Sequence, residues 1–359
     1  MTKVVILTIA PSPYQRDLFK ALSKEKDIAI KVYYCEGDIP DHPWERDEFE
    51  TFEHILPNFR IQLGNFNFIW NFSIPDLKDT DLVILNGYNT SAAQWFLHFQ
   101  AKRYPFIFWS EKIRPSTKKI RKLLQRTLGQ RLKIAMAIAA IGKSAHRDFL
   151  KRFPETSIHE IPYTCNLDPF RSKIPHRRPR SPIRLLFCGQ MIYRKGVDLL
   201  LEAFDKLILE GYKIELLLVG RQAELPEMVR RLTLAPETLS SIQNLGFKQP
   251  DELPLIFSEA DLFILPSRYD GWGVVLNQAL GAGLPVFCSD HVGASEDLVK
   301  PGINGEVFQA NQTSALVSAL KPYLNDPEKI IKASKRSLEL SYNFDSEAGT
   351  RLWKKLILN

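Results

Sequence analysis

Short apolar runs rich in β-branched residues alternate along this chain with longer stretches of helical period. Val4 to Ile9, Ala29 to Cys35, Leu82 to Leu85 and Phe106 to Trp109 read as buried strands, each followed by room for a helix. Ile134 to Ile141 is the longest apolar run, eight residues and rich in Ala, and a helix is expected near Lys143 to Phe153. The rhythm then breaks. Pro162, Pro169, Pro175, Pro179 and Pro182 are interleaved with Arg171, Lys173, Arg177, Arg178 and Arg180, the punctuation of a linker. A second alternation follows in Ile183 to Cys188, Ile214 to Val219, Leu262 to Leu265 and Val286 to Cys288, with Val197 to Ile208 periodic as a helix. Alternating strands and helices predict parallel sheets covered by helices. The expected fold class is therefore α/β, with two doubly wound, Rossmann-like domains. The pattern places them at 1–165 and 183–340, with a linker over 166–182 and a last helix, Ser346 to Ile357, inside 341–359. At roughly 100–200 residues per domain, a chain of 359 also favours two.

Composition narrows the class. Hydrophobic residues are 45% and charged residues 25%, which excludes disorder, collagen and coiled coil as whole-chain answers. No apolar run approaches the ~20 residues that cross a bilayer. The opening MTKVVILTIAPSPY reads as a first buried strand rather than a secretion signal, so a cytoplasmic protein is expected. Cys35, Cys165, Cys188 and Cys288 are far apart and form no C-x-x-C, which points to neither a disulfide framework nor a zinc site. No metal is expected.

Formal net charge is +7, yet nine Lys or Arg and no acid lie between Lys112 and Lys133, leaving −2 for the rest of the chain. Within that stretch Ile120, Leu123, Leu124, Leu128 and Leu132 recur at helical spacing. Two readings stay open. A membrane-surface helix would draw about 1 kcal/mol per basic residue from anionic headgroups; a helix packed on its own domain would leave the same residues in water. Nucleic acid is not expected, because no recognition motif accompanies the charge.

Ligands of open parallel sheets bind beyond the carboxyl ends of the strands, where helix N-termini favour anions. Three loops qualify. In the first, Phe187 to Gly196, Lys195 stands at a helix entry, where it would meet a bound phosphate or simply be solvated. In the second, Leu265 to Leu280, Gly271 and Gly273 let backbone approach a ligand, and a helix starting near Val274 would aim free N–H groups at a diphosphate. Asp270 and Gln278 would face that ligand, or serve as a helix cap and a buried amide. The third, Ala10 to Arg16, lacks G-x-G-x-x-G, which weighs against a dinucleotide site.

Taken together, Gly189-x5-Lys195-Gly196, Leu218-Val219-Gly220, Ala260 to Ser267, Asp270-Gly271-Trp272-Gly273 and Gly283-Leu284-Pro285-Val286 resemble family 4 of the retaining, nucleotide-sugar-dependent glycosyltransferases. The likeness organises about 160 residues of the second half; Pro13-Tyr14, Ile141-Gly142 and Ile161-Pro162-Tyr163 extend it loosely into the first. It implies the GT-B fold, two domains facing a cleft, with the last helix crossing back to the N-terminal domain. It also implies a nucleoside-diphosphate sugar, with UDP- or GDP-sugars foremost, held through Gly189, Gln190, Lys195, Gly273, Val274 and Gln278. The family's Glu-x7-Glu is Asp270 and Gln278 here, and its usual Arg after the first Gly is Gln190. Asp270 keeps the charge on the sugar hydroxyls, while Gln278 accepts ribose hydrogen bonds more weakly than a carboxylate. Arg194 or Arg268 is the candidate replacement for the missing phosphate cation. Glu111 takes the place of a sugar-contacting side chain after an N-domain strand, or else pairs with Lys112 or Arg114. Tyr14 and Arg16 would line the acceptor side, with Arg16 also in reach of donor phosphates. Leaving-group charge would be met by Lys195 and the N–H groups near Gly273 and Val274. No carboxylate nucleophile is required.

The resulting expectation is transfer of a sugar to a lipid-linked or membrane-proximal glycan, in polysaccharide or glycolipid synthesis, peripheral on the inner face of a membrane. The alternatives are a soluble transferase acting on a small acceptor and a GT-B scaffold that binds nucleotide or glycan without turnover.

Overall fold

Strands of the chain gather into two separate parallel sheets in the computed structural model, which describes residues 1–37, 48–63, 66–113, 119–172 and 179–359. Two units result, Met1–Thr164 together with Ser346–Asn359, and Cys165–Asp345.

The first unit contains β1 (Thr2–Thr8), β2 (Ile28–Tyr34), β3 (Glu53–Ile55), β4 (Asn58–Leu63), β5 (Phe66–Asn71), β6 (Leu82–Asn86), β7 (Phe106–Ser110), β8 (Ala137–Ala140) and β9 (Ser157–Glu160). Seven of these form one sheet in the order β3-β2-β1-β6-β7-β8-β9, while β4 and β5 pair antiparallel as a separate hairpin. The central strands are apolar at nearly every position because helices cover both faces of a parallel sheet. The last helix, Ser346–Leu358, packs against the first, Pro13–Leu22. Trp353 on it is buried edge-on to Trp109 of β7, ring centroids 5.2 Å apart. Lys354 adds contacts to Glu25 at 2.6 Å and Asp27 at 3.1 Å. A fully buried large apolar side chain contributes roughly 1.5–3 kcal/mol. The return of the last helix to the first unit thus rests on packing.

The second unit is built on β10 (Ile183–Cys188), β11 (Ile214–Val219), β12 (Ile242–Gly246), β13 (Leu262–Leu265), β14 (Val286–Ser289) and β15 (Gly305–Phe308), ordered β12-β11-β10-β13-β14-β15 and all parallel. Every residue of β13 and β14 is buried, and helix Val197–Leu209 has eight buried residues. In both units the strand order reverses at the middle, between β1 and β6 and between β10 and β13. Those are the switch points at which such sheets bind ligands.

The strands that the pattern did not predict are short or at edges. β9 and β12 carry exposed polar residues, since an edge strand is half solvated and loses its apolar run. The basic stretch divides into helix Lys119–Leu128 and a tighter 3-10 turn, Gln130–Ile134. Its leucines part company: Leu132 is fully buried, whereas Leu123 is 66% exposed. Arg114 and Lys118 of that stretch, 173–178 of the linker and 38–47 of the loop after β2 lie outside the described residues. Among the described residues no helix is long and apolar enough to cross a membrane.

Candidate active site

At the switch point of the second unit, two loops leave neighbouring strand ends. The loop after β10 begins at Gly189, whose N–H donates to the Val219 carbonyl at 2.9 Å, passes half-buried Gln190, and closes in a 3-10 turn at Tyr193–Lys195. Gly196 follows at φ +72°, and a Cβ there would stand 2.0 Å from the Pro266 carbonyl oxygen. Glycine alone fits this crossing of the loops after β10 and β13. The crossing sets Lys195 Nζ 2.5 Å from Asp270 Oδ2, with side chains only 16% and 13% exposed.

Asp270 is held from the other side. Its N–H donates to the His291 carbonyl at 3.2 Å, its carbonyl accepts from Gly293 N–H at 3.0 Å, and Ala294 N–H donates to the Trp272 carbonyl at 3.0 Å. The loops after β13 and β14 are therefore stitched by backbone. Trp272 is fully buried and donates from Nε1 to Asn277 Oδ1 at 3.0 Å, which anchors the helix Val275–Gly281 below the loop. Gly273 (φ +89°) and Val274 lead into this helix, and half-buried Gln278 lies on it. N–H groups of a first helical turn have no acceptor within the helix.

The two other arginines of these loops hold backbone and each other's loops. Arg268 forms a bidentate pair with Asp198, 2.7 Å at each nitrogen, and its guanidinium lies 3.7 Å from the Tyr193 ring centroid. Arg194 donates to the Tyr269 carbonyl at 3.0 Å. Neither was placeable from sequence, because Arg268 and Asp198 are 70 residues apart and no periodicity links them. Burial pushes the Cys188 thiol up to about 12, against the opposing pull of Lys195, and burial followed by Asp290 and Asp270 holds Cys288 well above its ordinary value.

In the first unit, Asn86 at the end of β6 accepts from Thr8 Oγ1 at 2.9 Å and Gln15 Nε2 at 3.1 Å, and donates to the Trp109 carbonyl at 3.0 Å. It knits the carboxyl ends of β1, β6 and β7. Sequence reasoning missed it; its one signal was a polar residue closing the apolar run Leu82 to Leu85. Tyr14 stands edge-on to Tyr163 with centroids 5.0 Å apart. Burial first, then the Tyr14 and Glu111 charges, hold the Tyr163 hydroxyl far above its ordinary range, so Tyr14 and half-buried Glu111 share one neighbourhood.

Arg16, expected on the acceptor side or near donor phosphates, is buried, donating from Nε and Nη2 to Glu53 at 2.9 and 2.8 Å and from Nη2 to the Glu48 carbonyl at 2.8 Å. Tyr34 Oη donates to the same carboxylate at 2.6 Å. Burial works against the Glu53 charge, but Arg16, Tyr34 and the Glu50 N–H together hold its carboxyl below the ordinary range. Arg16 faces inward because it lies on the helix face that packs on the sheet. No group of three or more His, Cys, Asp or Glu among the described residues is placed to hold a metal ion.

Residues 170–338, which contain Gly189, Lys195, Asp270, Gly273 and Gln278, match the family model described as glycosyl transferases group 1. This stretch is similar to a glycosyl transferases group 1 domain. An uncharacterised glycosyltransferase of Methanocaldococcus jannaschii is 28% identical over 167 residues, 46% of this chain and 42% of that protein. The O-antigen chain mannosyltransferase B of Escherichia coli is 24% identical over 242 residues, 62% and 61% of the two chains. The chain spans about half the length of the curated relatives it matches. HepE of Anabaena, solved in complex with UDP, superposes with a TM-score of 0.72 over 99% of both chains at 16% identity. Such likeness establishes the fold, which is GT-B. Both Lys195 and Asp270 fall inside the matched stretch.

Proposed function

We propose that the protein is a retaining, nucleotide-sugar-dependent glycosyltransferase whose group 1 domain holds the donor. The observation that carries this reading is the Lys195–Asp270 pair between the loops after β10 and β13. A cation and a carboxylate in contact at a switch point suit a ligand with two ends. Lys195 would turn to the diphosphate as a compact charge, and Asp270, released, would accept from sugar hydroxyls. Gln190 and Gly189 would line the phosphate loop, N–H groups at Gly273 and Val274 would add donors, and Gln278 would accept from ribose hydroxyls.

In the reaction the bond between the anomeric carbon and the diphosphate oxygen breaks, and an acceptor hydroxyl oxygen bonds to that carbon from the departure face. The hydroxyl proton passes to the departing phosphate. Negative charge develops on the leaving group, so a prepositioned cation and backbone N–H groups lower the barrier. Glu111 would contact the sugar, and Tyr14 and Tyr163 would belong to the acceptor side. The acceptor we favour is a lipid-linked or membrane-proximal glycan, supported by the basic run Lys112 to Lys133 and by the O-antigen relative. The protein would then work peripherally on the inner face of a membrane.

Thermal unfolding against UDP, GDP, ADP, TDP and CMP tests the reading, since a ligand at about 100 times its Kd stabilises by roughly 2.7 kcal/mol. A shift with one diphosphate, lost in Lys195→Ala, is expected. No shift with any of them overturns it. A second reading, a scaffold that binds without turnover, is favoured by the neutral Gln190 and Gln278 and predicts that Gln278→Glu creates activity absent from the parent. Turnover of a soluble sugar phosphate or inositol in preference to glycolipid would mark a soluble transferase instead.

A further inference from the structure

Every exposed Phe and Trp among the described residues lies in the first unit, between Phe59 and Phe99. They are Phe59 (59% exposed), Trp70 (50%), Phe72 (71%) and Phe99 (71%). The β4–β5 hairpin sets Phe59 directly opposite Trp70, and Ile61 opposite Phe68. Side chains alternate along a strand, so these four share one face. The other face carries Ile69 and Asn71, both buried. Asn71 donates from Nδ2 to the Cys35 carbonyl and from its N–H to Ser91 Oγ, each at 2.6 Å, and Arg60 pairs with Glu36. An isolated two-stranded hairpin is marginal in water. This one is docked by an inner side that places Ile69 in the core and bonds through Asn71 and Arg60, which leaves the aromatic side outward. Aromatic surface left out in this way marks a place of contact.

The hairpin is continuous with the basic part of the unit. β5 packs against helix Ser91–Trp95, which runs on through the turn Phe96–Gln100, and that turn packs against Gln130–Ile134. Gln94 Nε2 donates to the Leu128 carbonyl at 3.2 Å, joining the same element to the end of helix Lys119–Leu128. Residues 54–75 contain no acid, and between Leu82 and Arg147 there are thirteen Lys or Arg against a single acid, Glu111. Lys102, Arg103, Arg126 and Lys133 are exposed, as is Leu123. Like charge disfavours a second copy of this face. An anionic bilayer answers both features, because aromatic rings settle at the headgroup level and cations are drawn to the surface.

We propose that the β4–β5 hairpin, with Phe72 and Phe99, is a wedge that enters the interfacial layer of an anionic membrane while the neighbouring basic residues hold the headgroups. The proposal deepens the membrane-proximal acceptor reading and rests on it for its purpose.

Flotation of the full chain with vesicles of phosphatidylcholine, alone or mixed with phosphatidylglycerol, tests it. The unaltered protein is expected to float with the mixed vesicles and to release with added salt. Combining Phe59→Ser, Trp70→Ser and Phe72→Ser should lower partitioning on the order of a hundredfold, and Arg126→Glu with Lys133→Glu roughly tenfold. Phe72→Ser with Phe99→Ser, which leaves the cross-strand pair intact, should weaken binding even if the triple variant unfolds by circular dichroism. Failure of the unaltered protein to float overturns the wedge, as does flotation unaffected in these variants. Unchanged flotation with lost turnover of a soluble oligosaccharide would make the aromatic face a glycan platform and equally overturn it. Loss of the transferase reading looks different: no diphosphate would stabilise the protein although vesicle binding persisted.

Discussion

Lys195 Nζ and Asp270 Oδ2 meet at 2.5 Å although 75 residues separate them, each on a loop leaving a different strand beside the switch point. On the proposed function, this pair marks the place that a diphosphate and a sugar would share. Lys195→Ala should lower kcat/KM by about 10²–10³-fold, the usual loss when one stabilising donor at a developing charge is removed. It should also abolish the nucleotide-induced rise in Tm. Asp270→Asn should impair turnover while leaving stabilisation by the diphosphate alone intact or improved, because Lys195 is then released. Parallel calorimetry with diphosphate and with sugar nucleotide separates the two roles.

Gln278 is half-buried on the helix that follows Gly273 and Val274. A charged acceptor forms a hydrogen bond roughly twice as strong as a neutral one. Gln278→Glu should therefore tighten nucleoside diphosphate binding by about fivefold to tenfold, read by titration calorimetry. If affinity is unchanged, the ribose lies elsewhere.

Arg16 and Glu53 form an ion pair with side chains 8% and 0% exposed. Removing one partner of a buried pair leaves an uncompensated charge and costs about 3–5 kcal/mol. Arg16→Met should lower the urea midpoint accordingly, and Arg16→Met combined with Glu53→Gln should cost less than the sum of the two. An additive result would show that the two side chains act independently.

Gly196 carries the crossing of two loops, with positive φ and no room for a Cβ. Gly196→Ala should destabilise by roughly 2 kcal/mol or more, and it should weaken nucleotide binding by displacing the loop that carries Lys195. Tm and diphosphate titration report the two effects separately.

Stability should fall at both pH extremes for assignable reasons. Burial pushes the Cys35 and Cys188 thiols from 9.0 up to about 12. A group with a raised folded value contributes stability that is complete below its unfolded value and lost as pH rises through the folded one, so these thiols favour unfolding progressively from about 9 to 12. Glu53, held below its ordinary 4.5, does the reverse, and its contribution disappears as pH falls below that value. Urea midpoints across pH should show a shallower acid limb in Glu53→Gln and a shallower alkaline limb in Cys35→Ala.

Several elements were legible residue by residue. Ile183 to Cys188, Ile214 to Val219 and Leu262 to Leu265 are strands with the predicted bounds, because central strands of a parallel sheet are buried on both faces and must be largely apolar; the exceptions, Arg184 and Glu215, pair with each other. Ser346 to Ile357 was legible as a helix for the same kind of reason, its buried positions recurring with helical period. The hairpin Asn58–Leu63 with Phe66–Asn71 was not. Asn58 to Leu63 alternates polar with apolar residues, but Phe59 and Trp70 face outward, the reverse of the side that such alternation predicts to be buried.

The linear pattern by itself determined the two α/β sheets, the loops at their strand ends and the glycines that let backbone come close. Burial and local geometry act over a few residues, and composition records them. Only the tertiary structure decided which charges meet. It assigned Arg268 to Asp198 and Arg16 to Glu53, and it set Lys195 against Asp270. Those pairings depend on strand order and loop crossing, which bring together residues tens of positions apart and leave no periodic mark on the chain.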